Sequence, residues 1–326
     1  MAEAAPGGRL LDPRVLVLAG PTAAGKTELA ARLAEAVGGA VVSADARQVF
    51  RGLSVGTAQP DAATRARAPH FLVGFLSPAA EYSAGLFGED ARRVLAALRA
   101  RGVPTVVCGG TGLYLRALLE GAPGPGGGLP PHVDPPELRR RRRAVLAARW
   151  REEGPQALHA ELAGLDPLLG ARLHPIDRQR VLRALEFREE HGVPLSGVWK
   201  RPRPAAPGSG PLRFRLEVPV AELERRITVR LESMLESGWV EEARALFERF
   251  GGAGTRALDA LGYPELFAVF RGERTLPEAL EVTRLRTRRY AKRQRTWFRN
   301  QDGFTPVPDE GDAFERLLAA WRERLA

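Results

Sequence analysis

Gly20-Pro21-Thr22-Ala23-Ala24-Gly25-Lys26-Thr27 has the spacing G-x-x-x-x-G-K-T. An apolar run, Val15 to Ala19, precedes it, and a helical pattern, Glu28 to Glu35, follows. Strand, glycine loop and helix start in that order make a phosphate cradle. The glycines let the backbone wrap an anion, and the helix N-terminus supplies N–H groups and partial positive charge. An ammonium at Lys26 reaches a terminal phosphate, and the Thr27 hydroxyl can hold Mg2+. The chain has three lysines, Lys26, Lys200 and Lys292, and arginine supplies the rest of its 49 basic residues. A compact ammonium thus stands at the one loop position that wants it. The bland alternative is a chance match in a Gly-rich chain, and the strand–loop–helix setting argues against it. The expected ligand is a polyphosphate or pyrophosphate.

Asp45 is the second candidate, just after the apolar run Ala40 to Ser43. A carboxylate at a strand end beside a phosphate loop can bind Mg2+, order a water or accept a proton. It can equally cap a turn, and the spacing leaves both readings open. A Walker-type motor would show an apolar strand ending in Asp. Here Thr105 to Cys108 ends in Gly109-Gly110. That argues for a small-molecule kinase, or for a transferase that only uses the cradle.

Three basic features follow. Arg139 to Arg143 is a run of five arginines, and Gln179, Arg180 and Arg183 share a helical stretch. Arg284, Arg286, Arg288, Arg289, Lys292, Arg293, Arg295 and Arg299 interleave with Tyr290, Trp297 and Phe298. Arginines with aromatics on one helix can line phosphates and stack on exposed bases. The alternative is a solvated helix whose aromatics pack inward. Adjacent Trp297 and Phe298 point in different directions, so core packing suits at least one. A net charge of +10 favours a nucleic-acid partner.

The elements that position these residues read as α/β. Strands are expected at Arg14–Ala19, Ala40–Ser43, Phe71–Leu76 and Val103–Cys108. Helices are expected at about 26–37, 84–100 and 113–120, with Leu86, Val94, Leu95 and Leu98 on the apolar face of the second. Alternating strands and helices make a parallel sheet whose carboxyl ends bind ligands, so Gly20, Asp45 and Gly109 converge on one crevice. Breaker segments at 121–131 and 201–211 bracket an all-helical insertion. A strand at Leu212–Val218 returns the chain to the core. One helix from Ala221 to about Phe250, one capped by Thr275 and Glu278 running to Arg299, and one over 312–324 complete it. The expected organisation is a P-loop core with a parallel sheet flanked by helices (1–120), the insertion (121–200), and a core completion with a basic helical part (201–326). The 326 residues are 44% hydrophobic, enough for such a core. The one cysteine, Cys108, excludes an intramolecular disulfide or a Cys metal cluster and suits a reducing, cytoplasmic setting. Met1 to Pro13 lacks the apolar stretch of a signal peptide, and no run spans a membrane. Without a coiled-coil seam, a monomer is expected.

Taken together the motifs resemble the tRNA dimethylallyltransferase (tRNA isopentenyltransferase) family over about Val15 to Arg299. The loop Gly20–Thr27 looks like that family's Gly-x-Thr-x-x-Gly-Lys-Thr/Ser, and Asp45-Ala-Arg-Gln-Val-Phe50 looks like its Asp-Ser-x-Gln-Val-Tyr. Gly109-Gly-Thr-Gly-Leu-Tyr114 matches intact, and Asp177 to Glu186, Leu261-Gly-Tyr263 and Arg289 to Arg299 are similar to later blocks. The resemblance implies transfer of a dimethylallyl group from its pyrophosphate to N6 of the adenosine just 3′ of the tRNA anticodon. It implies pyrophosphate on Gly20 to Thr27, including Pro21, Ala23 and Ala24. Asp45 becomes the general base and Thr22 a hydrogen-bond donor to the leaving group. Arg230 neutralises its charge, with Arg226 as a second candidate, and Thr27 holds Mg2+. It assigns tRNA contacts to Asp45, Ala46, Arg47, Gln48, Thr111 and Arg139, and to Gln179, Arg180, Val181, Leu182 and Arg183 of the insertion. Gly262, Tyr263, Lys292, Arg293, Gln294, Arg295, Thr296, Trp297, Phe298 and Arg299 join them on the same ground. The partners it implies are dimethylallyl pyrophosphate and the anticodon stem-loop.

The departures are modest. Ala46 replaces Ser, Phe50 replaces Tyr, His70-Phe71 stands where a His pair is common, and Gly74 and Ser77 replace acids. Two other enzymes fit part of the pattern. A prenyltransferase of free adenine nucleotides shares the loop and Asp45 but needs no insertion or basic helix. A P-loop kinase of a small metabolite would turn over ATP and ignore tRNA. A basic RNA-binding protein with a degenerate loop conflicts with the intact Gly25-Lys26-Thr27.

Overall fold

The computed structural model describes residues 13–120, 133–198, 210–251, 255, 257–309 and 311–325. The glycine- and proline-rich breaker at 121–131, most of the one at 201–211, and nearly all of the N-terminal stretch lie outside them. The chain divides into two compact units, residues 1–119 with 204–326, and residues 120–203.

Six strands build the sheet of the first unit: β1 (Val15–Ala19), β2 (Ala40–Ser43), β3 (His70–Phe71), β4 (Thr105–Gly109), β5 (Leu212–Glu217) and β6 (Thr305–Pro308). Their order is β3-β2-β4-β1-β5-β6. Every pairing is parallel. Ala19 pairs with Gly109, and Ser43 with Cys108, so the loops after β1, β2 and β4 leave at one edge. The central strand β1 is apolar throughout, and β2 and β4 nearly so, because both faces are covered. Val15, Val17, Ala19 and Val42 pack against α3 (Ala84–Ala100), α4 (Gly112–Leu119), α11 (Trp239–Phe250), α12 (Tyr263–Phe270) and α13 (Leu276–Arg299). Leu16, Leu18, Val41 and Val106 pack against α1 (Lys26–Glu35), α10 (Val220–Glu236) and α14 (Ala313–Leu325). The alternation along each strand sorts the two cores.

Several expectations change in detail. The apolar run Phe71–Leu76 is a strand only at its start, because Leu72 (φ 59°) and Gly74 (φ 60°) enter the left-handed region. Leu76 then forms an isolated bridge with Phe50. The long helix expected from Ala221 is two helices, broken at Gly238 with φ 86°. On α3 the inward residues are Phe87, Ala91, Leu95 and Leu98, while Leu86 is exposed. Helix α2 (Ala62–Arg67) buries no residue and so leaves no periodic signal. The α13 start is as expected: the Glu278 carboxylate accepts from Thr275 N at 2.8 Å and from Thr275 Oγ1 at 2.9 Å.

The second unit is helical among its described residues: α5 (Pro136–Glu152), α6 (Pro155–Leu165), α7 (Pro167–Gly170), α8 (Arg178–His191) and α9 (Leu195–Val198). Leu146, Leu158, Leu162, Leu169, Val181, Ala184 and Leu185 form its core. No helix among the described residues is long and apolar enough to cross a membrane.

Candidate active site

The phosphate loop joins β1 to α1. Its conformation needs glycine at Gly25, which caps α1 with φ 77°, while Ala23 adopts φ 62°. The first-turn N–H groups of a helix have no intrahelical acceptor, so α1 offers donors into the loop. Lys26 Nζ donates to Pro21 O at 2.6 Å and spans the cradle. Although part of this side chain is accessible, burial of its ammonium lowers its pKa from 10.5 to about 8. Asp45 opposes that shift and the Arg230 charge adds to it.

Thr22, Lys26, Thr27, Asp45, Arg230 and Tyr290 line one pocket at the carboxyl edge of the sheet, with Ser43, Gln48, His70 and Gly109 among its other walls. The expected convergence of the three strand ends therefore occurs. Asp45 caps the turn after β2 and also lines the pocket. Its Oδ1 accepts from Arg47 N at 2.8 Å and Gln48 N at 3.4 Å, fixing the turn. No protein donor sits on Oδ2 among the described residues. Thr111 Oγ1 accepts from Ala46 N at 3.0 Å, so the turn after β4 braces the turn after β2.

The two arginine candidates separate. The Arg230 guanidinium is enclosed although part of the side chain is accessible, and NH1 lies 3.5 Å from Thr22 Oγ1. Burial pulls its pKa down, opposed by Asp45. Arg226 is already engaged, 2.7 Å from Glu222 and paired as well with Asp309. It lies near Gly25 but does not line the pocket.

Tyr290 lines the pocket although the resemblance assigned it no role, and the sequence placed it only among the aromatics interleaved with the basic residues of α13. Burial, then the Asp45 charge, raises its hydroxyl to about 12. Its spacing of four from Gln294 on one helix was the available signal. His70 also lines the pocket, with Nδ1 2.8 Å from Ala68 O. Burial lowers its pKa, so the ring is neutral near pH 7.

The residues assigned to tRNA fall into two groups. Arg289, Lys292, Arg293, Thr296 and Arg299 are exposed on α13 at a spacing that forms one face. Arg288 pairs with Glu224, Arg286 with Glu265, Arg284 with Glu281, and Arg299 lies 4.0 Å from Glu217. Arg289, Lys292, Arg293 and Arg295 have no acidic partner among the described residues. In the second unit, Gln179 and Arg180 are exposed and Leu182 and Arg183 half-buried on α8.

Other assigned side chains point inward in the free chain. Val181 is fully buried in the second unit's core, and Arg139 is 8% exposed. Phe298 is buried beneath α13. Trp297 packs on Gly112, where a Cβ would lie 2.5 Å from its ring. Gln294 is hydrogen-bonded at both ends, to Thr22 N (2.7 Å) and Gly110 O (2.8 Å). Tyr263 is fully buried and donates to Glu242 at 2.6 Å. The same carboxylate accepts from Ser54 Oγ, Val55 N and Gly56 N. Gly262 (φ 94°) leaves no room for a Cβ, which would sit 2.1 Å from Trp239. This hub holds the 54–58 loop, whose carbonyls at Thr57 and Ala58 accept from Gln48 Nε2. Gln48 itself is buried, and its Oε1 accepts from Ser43 Oγ at 3.0 Å. The Leu261-Gly-Tyr263 block thus shapes the pocket from behind.

Comparison with known proteins agrees with this architecture. A family model described as IPP transferase matches residues 48–301, and one described as isopentenyl transferase matches residues 13–67. The chain is 42% identical over 285 residues to tRNA dimethylallyltransferase 1 of Citrifermentans bemidjiense, covering 87% of this chain and 89% of that one. The crystal structure of the full-length tRNA isopentenylpyrophosphate transferase of Bacillus halodurans is similar with a TM-score of 0.66 at 30% identity, covering 96% of this chain and 98% of that one. A eukaryotic dimethylallyltransferase acting on tRNA shares the fold, with a TM-score of 0.72 at 24% identity over 95% of this chain and 77% of that one. The match spans both the loop and the basic helix, and the chain belongs to the tRNA dimethylallyltransferase (IPP transferase) family.

Proposed function

We propose that the chain transfers the dimethylallyl group of dimethylallyl pyrophosphate to N6 of the adenosine 3′ of the tRNA anticodon, releasing pyrophosphate. The observation that carries this reading is one pocket holding a phosphate loop, a carboxylate with an open oxygen and an enclosed guanidinium, beside a helix with a free basic face. Family membership supplies the substrate class.

Chemistry then follows from charge. The pyrophosphate lies in the Gly20–Thr27 loop at the N–H groups that open α1, with Lys26 and Arg230 as cations that stabilise its departing charge. Thr22 Oγ1, beside Arg230, donates to a leaving oxygen. N6 of the adenine attacks the allylic carbon, the C–O bond to pyrophosphate breaks, and Asp45 accepts the N6 proton at Oδ2. The adenine leaves its stack to reach that carbon. Exposed Arg289, Lys292, Arg293 and Arg299 on α13, and Arg180 and Gln179 on α8, hold the RNA backbone.

A divalent ion fits the donor set. Among the described residues no group of three or more acids, His or Cys forms a metal cage. Thr27 and Asp45 nevertheless supply hard oxygens in the same pocket. Mg2+ takes few protein ligands and completes its shell with water and phosphate oxygens. Thr27 would hold it, leaving Asp45 Oδ2 open to act as the base, and it would neutralise pyrophosphate charge. On this reading the enzyme acts in the cytoplasm as a monomer, and its one cysteine is a buried free thiol.

Asp45→Ala tests the assignment. Single-turnover transfer falls by about 10²–10⁴, the usual worth of a positioned base, while stem-loop affinity is retained. A wild-type rate in that variant contradicts the role.

A further inference from the structure

Gln294 lies on α13 between Arg293 and Arg295, yet it is 6% exposed. Its Oε1 accepts from Thr22 N, and its Nε2 donates to Gly110 O. One side chain therefore joins three segments far apart in sequence: the phosphate loop, the glycine turn after β4, and the basic helix. The joint is tight, because a Cβ on Gly110 would sit 2.3 Å from Nε2. The Thr22 it holds is also the residue beside Arg230. Tyr290, Gln294 and Trp297 make the inner face of α13, at the i, i+4, i+7 spacing. Arg289, Lys292, Arg293 and Thr296 make the outer one.

We infer that Gln294 is a positioning residue that couples two binding events, RNA on the outer face of α13 and pyrophosphate in the loop. The inference rests on the function proposed above. RNA phosphates that fix α13 also fix the amide, and through it the Thr22 and Gly110 backbones. Pyrophosphate that orders the loop fixes α13 by the same bonds. Whichever ligand arrives first lowers the ordering cost of the second, and the effect is reciprocal. An amide suits the joint because it donates and accepts at once and adds no charge beside a polyanion.

The test is calorimetric binding of inorganic pyrophosphate to the full chain, with and without a saturating anticodon stem-loop that carries unmodified adenosine 3′ of the anticodon. In the wild type the stem-loop tightens pyrophosphate binding by about fivefold or more, the lower range of such couplings. In Gln294→Met that ratio collapses to about one, while stem-loop affinity measured alone stays within about twofold, since the side chain is not on the RNA face. Gln294→Glu covers the case in which the methionine variant is unstable. At neutral pH its carboxylate opposes Gly110 O and coupling is lost. Burial raises the pKa of that carboxyl, and once it is protonated at acidic pH the acid again donates and accepts, so coupling returns in the same protein. The inference is overturned by a wild-type ratio of one, by an undiminished ratio in Gln294→Met, or by no return of coupling in Gln294→Glu at low pH. A wild-type chain that fails to bind the stem-loop alone removes the proposed function, and the inference with it.

Discussion

Lys26 is the residue whose chemistry the loop most constrains. Burial places its pKa at about 8, well below an exposed lysine. In the free protein the ammonium is thus part-titrated at pH 8 and fully charged at pH 6. Pyrophosphate favours the charged form, so binding raises this pKa and takes up about half a proton at pH 8 and almost none at pH 6. The buffer dependence of the binding heat measures that uptake. Lys26→Arg keeps its proton throughout and provides the reference that removes the ligand's own titration. Uptake at pH 8 is therefore larger in the wild type than in Lys26→Arg, and equal values contradict the assignment. The same shift has a sign for stability. The folded pKa lies below the unfolded one, so between pH 8 and 10.5 the unfolded chain binds more protons and stability from this group rises with pH. The loop and Asp45 were legible as residues because their spacing is local. The bond from Gln294 to Thr22 spans 272 positions and leaves no local pattern.

At the scale of elements, α13 does two tasks on two faces. Its inner side chains close the pocket, and its outer face carries cations with no acidic partner. Replacing Arg289, Lys292 and Arg293 together by alanine should weaken stem-loop binding and flatten its dependence on salt. Each lost phosphate contact lowers the log–log slope by about 0.7–0.9, so the triple variant loses about 2 or more. Pyrophosphate affinity measured without RNA stays unchanged, because none of the three lines the pocket. An unchanged salt slope contradicts the contact assignment. Periodicity showed this helix and its capping box from sequence because a long amphipathic stripe is a strong signal. It could not say which motif residues face out. Val181, Phe298 and Tyr263 sit in motif blocks yet are buried, since a block marks a fold's fixed joints as readily as its contacts. The short α2 and the two-proline edge strand β6 escaped because neither buries a periodic face.

Over the whole molecule, the parallel sheet brings loops from three strands to one edge, and the arginine-rich composition follows a partner with many phosphates. The two compact units each carry their own core, and the helical one bears arginines that pair extensively with acids. Arg142 lies 2.5 Å from Asp134, Arg143 lies 2.6 Å from Glu186, and Arg149 lies 2.6 Å from Glu153. Charge count alone therefore overstates the basic surface, and the unpaired face of α13 is the stronger argument for RNA. The alternation of strands and helices and the loop motif made the fold class legible; the partition of charge needed coordinates. The measurement that tests the account most directly is transfer of labelled dimethylallyl pyrophosphate, with unmodified tRNA carrying adenosine 3′ of the anticodon and AMP as parallel acceptors. The account predicts label in the tRNA, in N6-modified adenosine, with pyrophosphate released and AMP unlabelled. Label in AMP instead, or none in either acceptor with phosphate moved from ATP, contradicts it.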